Sequence, residues 1–295
     1  MDWLVLVMLL AAADSDRDGV ADAVEQAILE QFRPQLLISA GECDGLPAEF
    51  RSGLKEPEVA ARNGTLYARV SPFTARPGEW IEVHYYHLWG RDCGKRGHDL
   101  DAEQAAVLLE RVHGEWLARY WWAAAHEETL CERSNAARAS WLNAEKQGAR
   151  LWISRGKHAS FLSRQLCSWG CGGDSCENTL PAAPAKIVNL GEKGALAEGM
   201  EWVEAGSWPL RDKLGSAFTE EILARLDREE GSRIVGRDGA MYPIQAIALA
   251  GGEAADGLGT GKQHTGQALG TATEKTGSAL RKAGRSVRGF LSGKK

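Results

Sequence analysis

Hydrophobic residues change their spacing along this chain, and the changes mark its elements. From Asp22 to Arg33 they recur at helical intervals, placing Val24, Ala27, Ile28 and Phe32 on one stripe that ends before Pro34. From about Leu36 to Phe161 the helical period gives way to short aromatic and β-branched runs broken by Gly, Pro and Asn: "TLYARV", "EWIEVHYYHLW", "EWLARYWWAAAHEE" and "ARLWISRGKHASF". "ARPGE" and "VHGE" read as turns between them. Alternation in "VHYYHLW" puts His84, Tyr86 and Leu88 on one face and Tyr85, His87 and Trp89 on the other. "DAEQAAVLLERV" conflicts with its surroundings, having strong helix propensity inside a pattern that wants a strand. Further on, "SAFTEEILARLDREEG" regains helical spacing, with Phe218, Ile222, Leu223 and Leu226 inward and a stop at Gly231. The irregular stretch before it is expected to pack Trp202 and Trp208 back onto the core. Regular βαβ alternation and a glycine-rich phosphate loop are both missing, which disfavours Rossmann and P-loop enzymes.

Both ends of the chain depart from this pattern. "MDWLVLVMLLAAAD" carries an apolar run too short to span a bilayer, and Ala11-x-Ala13 fits a signal-peptidase site. Asp2 is out of place in a signal n-region, so a buried N-terminal element is the competing reading. From Gly257 onward eight Lys/Arg stand against one acid, Glu274, leaving 27 basic and 39 acidic residues in the rest, a net of −12. An acidic body with a basic tail is not a nucleic-acid-binding globule. In the tail, Leu269, Ala272, Thr276, Leu280, Ala283, Val287 and Phe290 follow three-four spacing with glycines interspersed. That reads either as a conditional amphipathic helix for an anionic membrane or a partner protein, or as a disordered segment.

Six cysteines agree with export into an oxidising compartment, secreted or periplasmic. "CSWGCGGDSC" lacks CxxC spacing and a nearby His pair, so bridges are favoured over zinc. A Cys93–Cys131 bridge would brace the loops around Asp92 and His126.

Two stretches point to metal. "DSDRDGVADAVE" matches a calcium-loop template at every ligand position: carboxylates from Asp14, Asp16, Asp18 and Asp22, the Val20 carbonyl, and Glu25 to close the shell, with Gly19 at the sharp turn. Cleavage after Ala13 would leave no room for an entering helix, so a lone structural Ca2+ site is expected rather than an opening sensor. The second stretch is "RGHDLDAE". If it is extended, Asp101 and Glu103 share a face, His98 curls over from the loop, and Asp92 approaches from upstream. One imidazole and three carboxylates suit a divalent ion such as Mg2+, Ca2+, Mn2+ or Zn2+. Five of the seven histidines (His84, His87, His98, His126, His158) fall in these strand-like segments or their loops.

"GHDLDAE" resembles the GHRHDWE heptapeptide of the necrosis- and ethylene-inducing protein family, keeping Gly97, His98, Asp101 and Glu103. It also resembles the HxxDWE segment of the vacuolar protein sorting 62 family, to which "AILEQFRPQLLIS", "YWWAAAH" and "LWISRGKHASF" are similar as well. The resemblance spans roughly Ala27 to Phe161. It implies a mainly β chain with a jelly-roll-like β-sandwich core, and a divalent ion held by Asp92, His98, Asp101 and Glu103. In the necrosis-inducing family that site serves binding to sphingolipid head groups. Leu100 and Ala102 depart from the family's histidine and tryptophan, so cytolysis is not implied.

The chain divides into a signal peptide (1–13), a calcium loop and helix (14–34), a β-sandwich metal-binding domain (35–215), a helical extension (216–256) and the basic tail (257–295). Two functions fit. One is a secreted module whose ion coordinates oxygens of a glycoconjugate or lipid head group. The other is a metal-dependent hydrolase of phosphoesters, esters or glycosides, with His126 or His158 as general base or acid. No G-x-S-x-G or HExxH motif selects a reaction.

Overall fold

Helical spacing near the N-terminus produces α1 (Asp22–Gln31), with its stripe rotated from the expected one. Glu25, Ile28, Leu29 and Phe32 are buried, while Val24 is 44% exposed and Ala27 also faces solvent. The buried set keeps i, i+3, i+4, i+7 spacing, but an acid takes its first position. The computed structural model describes residues 13–94, 97–127, 129, 132–171, 173–228 and 234–236. The elements named here all belong to one unit, Met1–Gly252. The signal-like run up to Ala12 and the basic tail lie outside the described residues.

After α1 the chain runs mostly as strands. These are β1 (Gln35–Ser39), β2 (Glu49–Phe50), β3 (Val59–Ala61), β4 (Leu66–Pro72), β5 (Trp80–Arg91), β6 (Asp99–Val112), β7 (Glu115–Ala123), β8 (Asn135–Arg138), β9 (Arg150–Ile153) and β10 (Ser160–Phe161). A short α2 (Arg164–Ser168) precedes β11 (Thr179–Pro181), β12 (Ile187–Asn189), β13 (Gly191–Glu192) and β14 (Ala195–Leu196). Two 3₁₀ turns, Glu201–Glu204 and Pro209–Lys213, lead to α3 (Glu220–Leu226) and β15 (Ile234–Gly236). Seven strands join in the order β12-β4-β5-β6-β7-β8-β15, antiparallel except for β12 beside β4. Four more join as β10-β9-β1-β11, with β1 parallel to β9.

β6 settles the conflict over "DAEQAAVLLERV" in favour of a strand, buried without a break from Asp101 to Leu109. On one face Ala105, Val107 and Leu109 share a core with Leu36, Ile38, Leu151 and Ile153 of the four-stranded sheet and with Ile28, Leu29 and Phe32 of α1. On the other, Ala106 and Leu108 pack with Phe218, Ile222, Leu223 and Leu226. Propensity differences of a few tenths of a kcal/mol per residue yield to pairing and burial on both faces.

The segment after β12 also lies over this second face. Trp202 and Trp208 are buried against Phe50 and Tyr67, with ring centroids 5.1–6.1 Å apart. α3 ends at Leu226, short of the expected stop at Gly231. There Asp227 caps it, and the Asp227 side chain is tied to Arg76 and Tyr120. Bridges join Cys43 to Cys93 and Cys167 to Cys176. The expected Cys93–Cys131 pair is therefore incorrect: the loop after β1 carries Cys43 to within a Cα separation of 6.6 Å of Cys93.

Candidate metal centre

Asp14, Asp16 and Asp18 each present a carboxylate oxygen, and these oxygens lie within 4.8 Å of one another. The loop's own backbone holds them there. Asp14 accepts from Arg17 N–H at 2.8 Å and from Gly19 N–H at 3.2 Å, and Asp18 accepts from Val20 N–H at 2.6 Å. Gly19 sits at φ +95°, a conformation that disfavours any side chain. Glu25, 1% exposed, comes from α1. Its Oε2 accepts from Asn189 of β12 at 2.9 Å, while its Oε1, Asp16 Oδ1 and Asp18 Oδ2 are buried without a hydrogen bond. Burial first, then repulsion from Asp16 and Asp18, pushes Glu25 up to about 8. Orphaned hard oxygens that repel one another fit a calcium ion. Both oxygens of Asp22 accept from Ser15, one from its N–H and one from its Oγ–H.

Of "RGHDLDAE", Gly97 and His98 end the loop after β5 and Asp99–Glu103 begin β6, with pairing that runs from Arg91↔Asp99 through Trp89↔Asp101 to His87↔Glu103. Asp92 N–H donates to His98 O at 2.9 Å, and Cys93 N–H donates to Gly156 O at 2.7 Å. Gly97 is required by close approach, because a Cβ there would lie 2.4 Å from Asp92 O. This folding brings donor atoms of Asp92, His98 and Asp101 within 4.8 Å of one another. The His98 side chain is 54% exposed and Asp101 is buried, so the cluster opens to solvent on the imidazole side.

Beneath it lies His158, fully buried at φ +57° in the turn between β9 and β10. Its Nδ1 is 2.8 Å from Asp101 Oδ2, its Nε2 is 3.3 Å from Glu42 Oε1, and its ring stacks on Trp89 at 3.9 Å. Burial alone would lower His158, but hydrogen bonds and charge from Asp101 and Glu42 raise it to about 9. The same contacts outweigh burial at Asp101 and hold its carboxyl below the usual range. Next to this lies His87, lowered to about 3 by burial. Trp89 N–H donates to His87 Nδ1 at 2.9 Å, so the His87 proton sits on Nε2, 2.7 Å from Ser160 Oγ.

Glu103 stands apart from the three. Its Oε2 is buried without a hydrogen bond and faces Lys213 Nζ at 3.7 Å, while Nζ lies 3.1 Å from Glu127 Oε2. Burial pushes Glu103 up to about 8, whereas the charges of Glu103 and Glu127 overcome burial to raise Lys213. Both directions hold because the ammonium is shared: Glu127 takes the direct contact and Glu103 is left the less solvated acid. His126 is elsewhere, with its Nε2 held 2.8 Å from Asp174 Oδ2 and Ser154 Oγ–H donating to Asp174 Oδ1.

No family model matches the chain, and no curated protein matches it. Among solved structures it is similar to one described as a toxin fold for microbial attack and plant defence. That match is 14% identical with a TM-score of 0.39, and covers 73% of this chain and 93% of the other. NLPPya in complex with glucosamine is 17% identical, with a TM-score of 0.39 and coverage of 71% and 97%. Necrosis and ethylene inducing protein 2, from the causal agent of cocoa's witches' broom disease, is 19% identical, with a TM-score of 0.39 and coverage of 69% and 93%. Superpositions this shallow transfer no residue roles.

Glu42, Lys213 and Glu127 did not emerge from the pattern of the sequence. Glu42 reaches the centre because its neighbour Cys43 is bridged to Cys93, beside Asp92, a pairing that only the fold reveals. Lys213 and Glu127 are ordinary surface-like residues in sequence, and only the fold brings them in.

Proposed function

We propose that this chain binds a divalent ion through Asp92, His98 and Asp101 and uses it outside the cell to engage oxygens of a glycoconjugate or a membrane-lipid head group. The observation that carries this reading is the three-residue cluster within 4.8 Å, floored by buried Asp101 and opened by exposed His98. One imidazole and two carboxylates suit Mg2+, Ca2+, Mn2+ or Zn2+ and leave coordination positions for ligand oxygens on the solvent side. Ca2+ at Asp14, Asp16, Asp18 and Glu25 serves structure, tying α1 to β12 through Asn189. The Cys43–Cys93 and Cys167–Cys176 disulfides fit an oxidising compartment. Residues of the two main sheets share one apolar layer, in keeping with a β-sandwich and with the resemblance of the His98 loop to the necrosis-inducing family.

Binding is preferred to hydrolysis because the two candidate bases are committed. His158 is enclosed with both ring nitrogens facing carboxylates, and His126 Nε2 is held by Asp174. Flotation with liposomes bearing glycosylated or anionic lipids, with and without chelator, tests the reading. Chelator-sensitive flotation is expected. Flotation indifferent to chelator overturns it, and metal-dependent turnover in an ester and phosphoester panel would favour the hydrolase.

A further inference from the structure

We propose that Lys213 is a tethered cation that holds Glu103 away from the central cluster and so limits the carboxylates available to a divalent ion there. This rests on the ion-binding reading of Asp92, His98 and Asp101. Asp101 and Glu103 are two residues apart on one extended strand, so their side chains leave the same face of β6. Only Asp101 joins Asp92 and His98 in the 4.8 Å group. Glu103, 8% exposed, keeps an Oε2 without a hydrogen bond and turns it to Lys213 Nζ at 3.7 Å.

The position of Lys213 is set by its backbone. It ends the turn Pro209–Lys213, between buried Leu210 and Leu214, and its carbonyl accepts from Tyr86 O–H of β5 at 3.2 Å. Glu127 steadies the ammonium at 3.1 Å and is itself held by Gln104 Nε2–H at 3.1 and 3.3 Å. A fixed positive charge beside a buried acid does part of what a metal would do, and it repels an incoming divalent ion. Lys213 therefore acts as a specificity-determining residue: with it in place, the site offers two carboxylates and an imidazole rather than three carboxylates and an imidazole.

Mn2+ titration calorimetry on the full chain tests this, counting only the binding lost in His98→Ala. Lys213→Met is expected to tighten His98-dependent Mn2+ binding at least tenfold, and adding Glu103→Gln should return it to near the wild-type value. Glu103→Gln alone, a near-isosteric change that keeps the fold, should alter wild-type affinity by less than twofold. A Lys213→Met protein that binds no tighter, a gain that survives Glu103→Gln, or a large loss in Glu103→Gln alone each overturns the proposal. If wild type and His98→Ala bind Mn2+ alike, the underlying reading of the site fails instead, and Lys213 has no ion to limit.

Discussion

Asp14, Asp16, Asp18 and Glu25 fall within twelve consecutive residues, whereas Asp92, His98 and Asp101 rest on His158 and, through it, Glu42, from two distant segments. The two regions also balance their charge differently. Among the described residues, no basic side chain pairs with Asp14, Asp16 or Asp18, and their repulsion is left for an ion to relieve. The central region contains its own cations, the His158 imidazolium between Glu42 and Asp101 and the Lys213 ammonium between Glu103 and Glu127. The N-terminal loop should therefore depend on its ion for cohesion, while the central loop should stand without one and keep an ion for function.

The sharpest way to break this contrast is His158→Ala. It strands two buried carboxylates, and losing one partner of a buried ionic group costs about 3–5 kcal/mol. The loss should appear in urea unfolding with or without chelator. A cost below about 1 kcal/mol would mean that Glu42 and Asp101 do not rely on this histidine.

A smaller effect, tied to ion concentration, is expected from Asp14→Ala combined with Asp16→Ala. Calcium at a hundredfold excess over Kd should stabilise the wild type by about 2.7 kcal/mol, and the double variant should lose that increment. In chelator the gap between the two should shrink, and His98-dependent binding should persist throughout. Full-strength calcium binding by the double variant, read calorimetrically, would remove the N-terminal assignment.

The same contrast explains what could be read in the sequence. A ligand set spaced along one loop is visible in a string of letters, as "DSDRDGVADAVE" is, because the backbone alone sets which oxygens converge. Strand alternation in "VHYYHLW" was equally legible, with Tyr85 and Trp89 in one core cluster and Tyr86 and Leu88 in another. The α1 stripe departs from its apolar pattern because the helix turns the acid Glu25 inward and leaves Val24 in solvent. β6 owes its strand form to pairing with β5 and β7 along its edges and to packing against both of its faces, which its own letters do not encode. The Cys43–Cys93 bridge and the Lys213 contact depend on loop paths fixed by the assembled sheets, and no local spacing encodes those.

The smallest stability effect belongs to the most informative variant. His98 is exposed at the loop tip, so His98→Ala should change unfolding free energy by no more than about 0.5 kcal/mol. Elemental analysis of wild type and His98→Ala, stripped with chelator, reloaded with Mn2+ and dialysed, tests the central claim directly. The expected result is one fewer bound ion per chain in the variant at unchanged stability; equal metal content in the two proteins would contradict it and leave "RGHDLDAE" a polar turn.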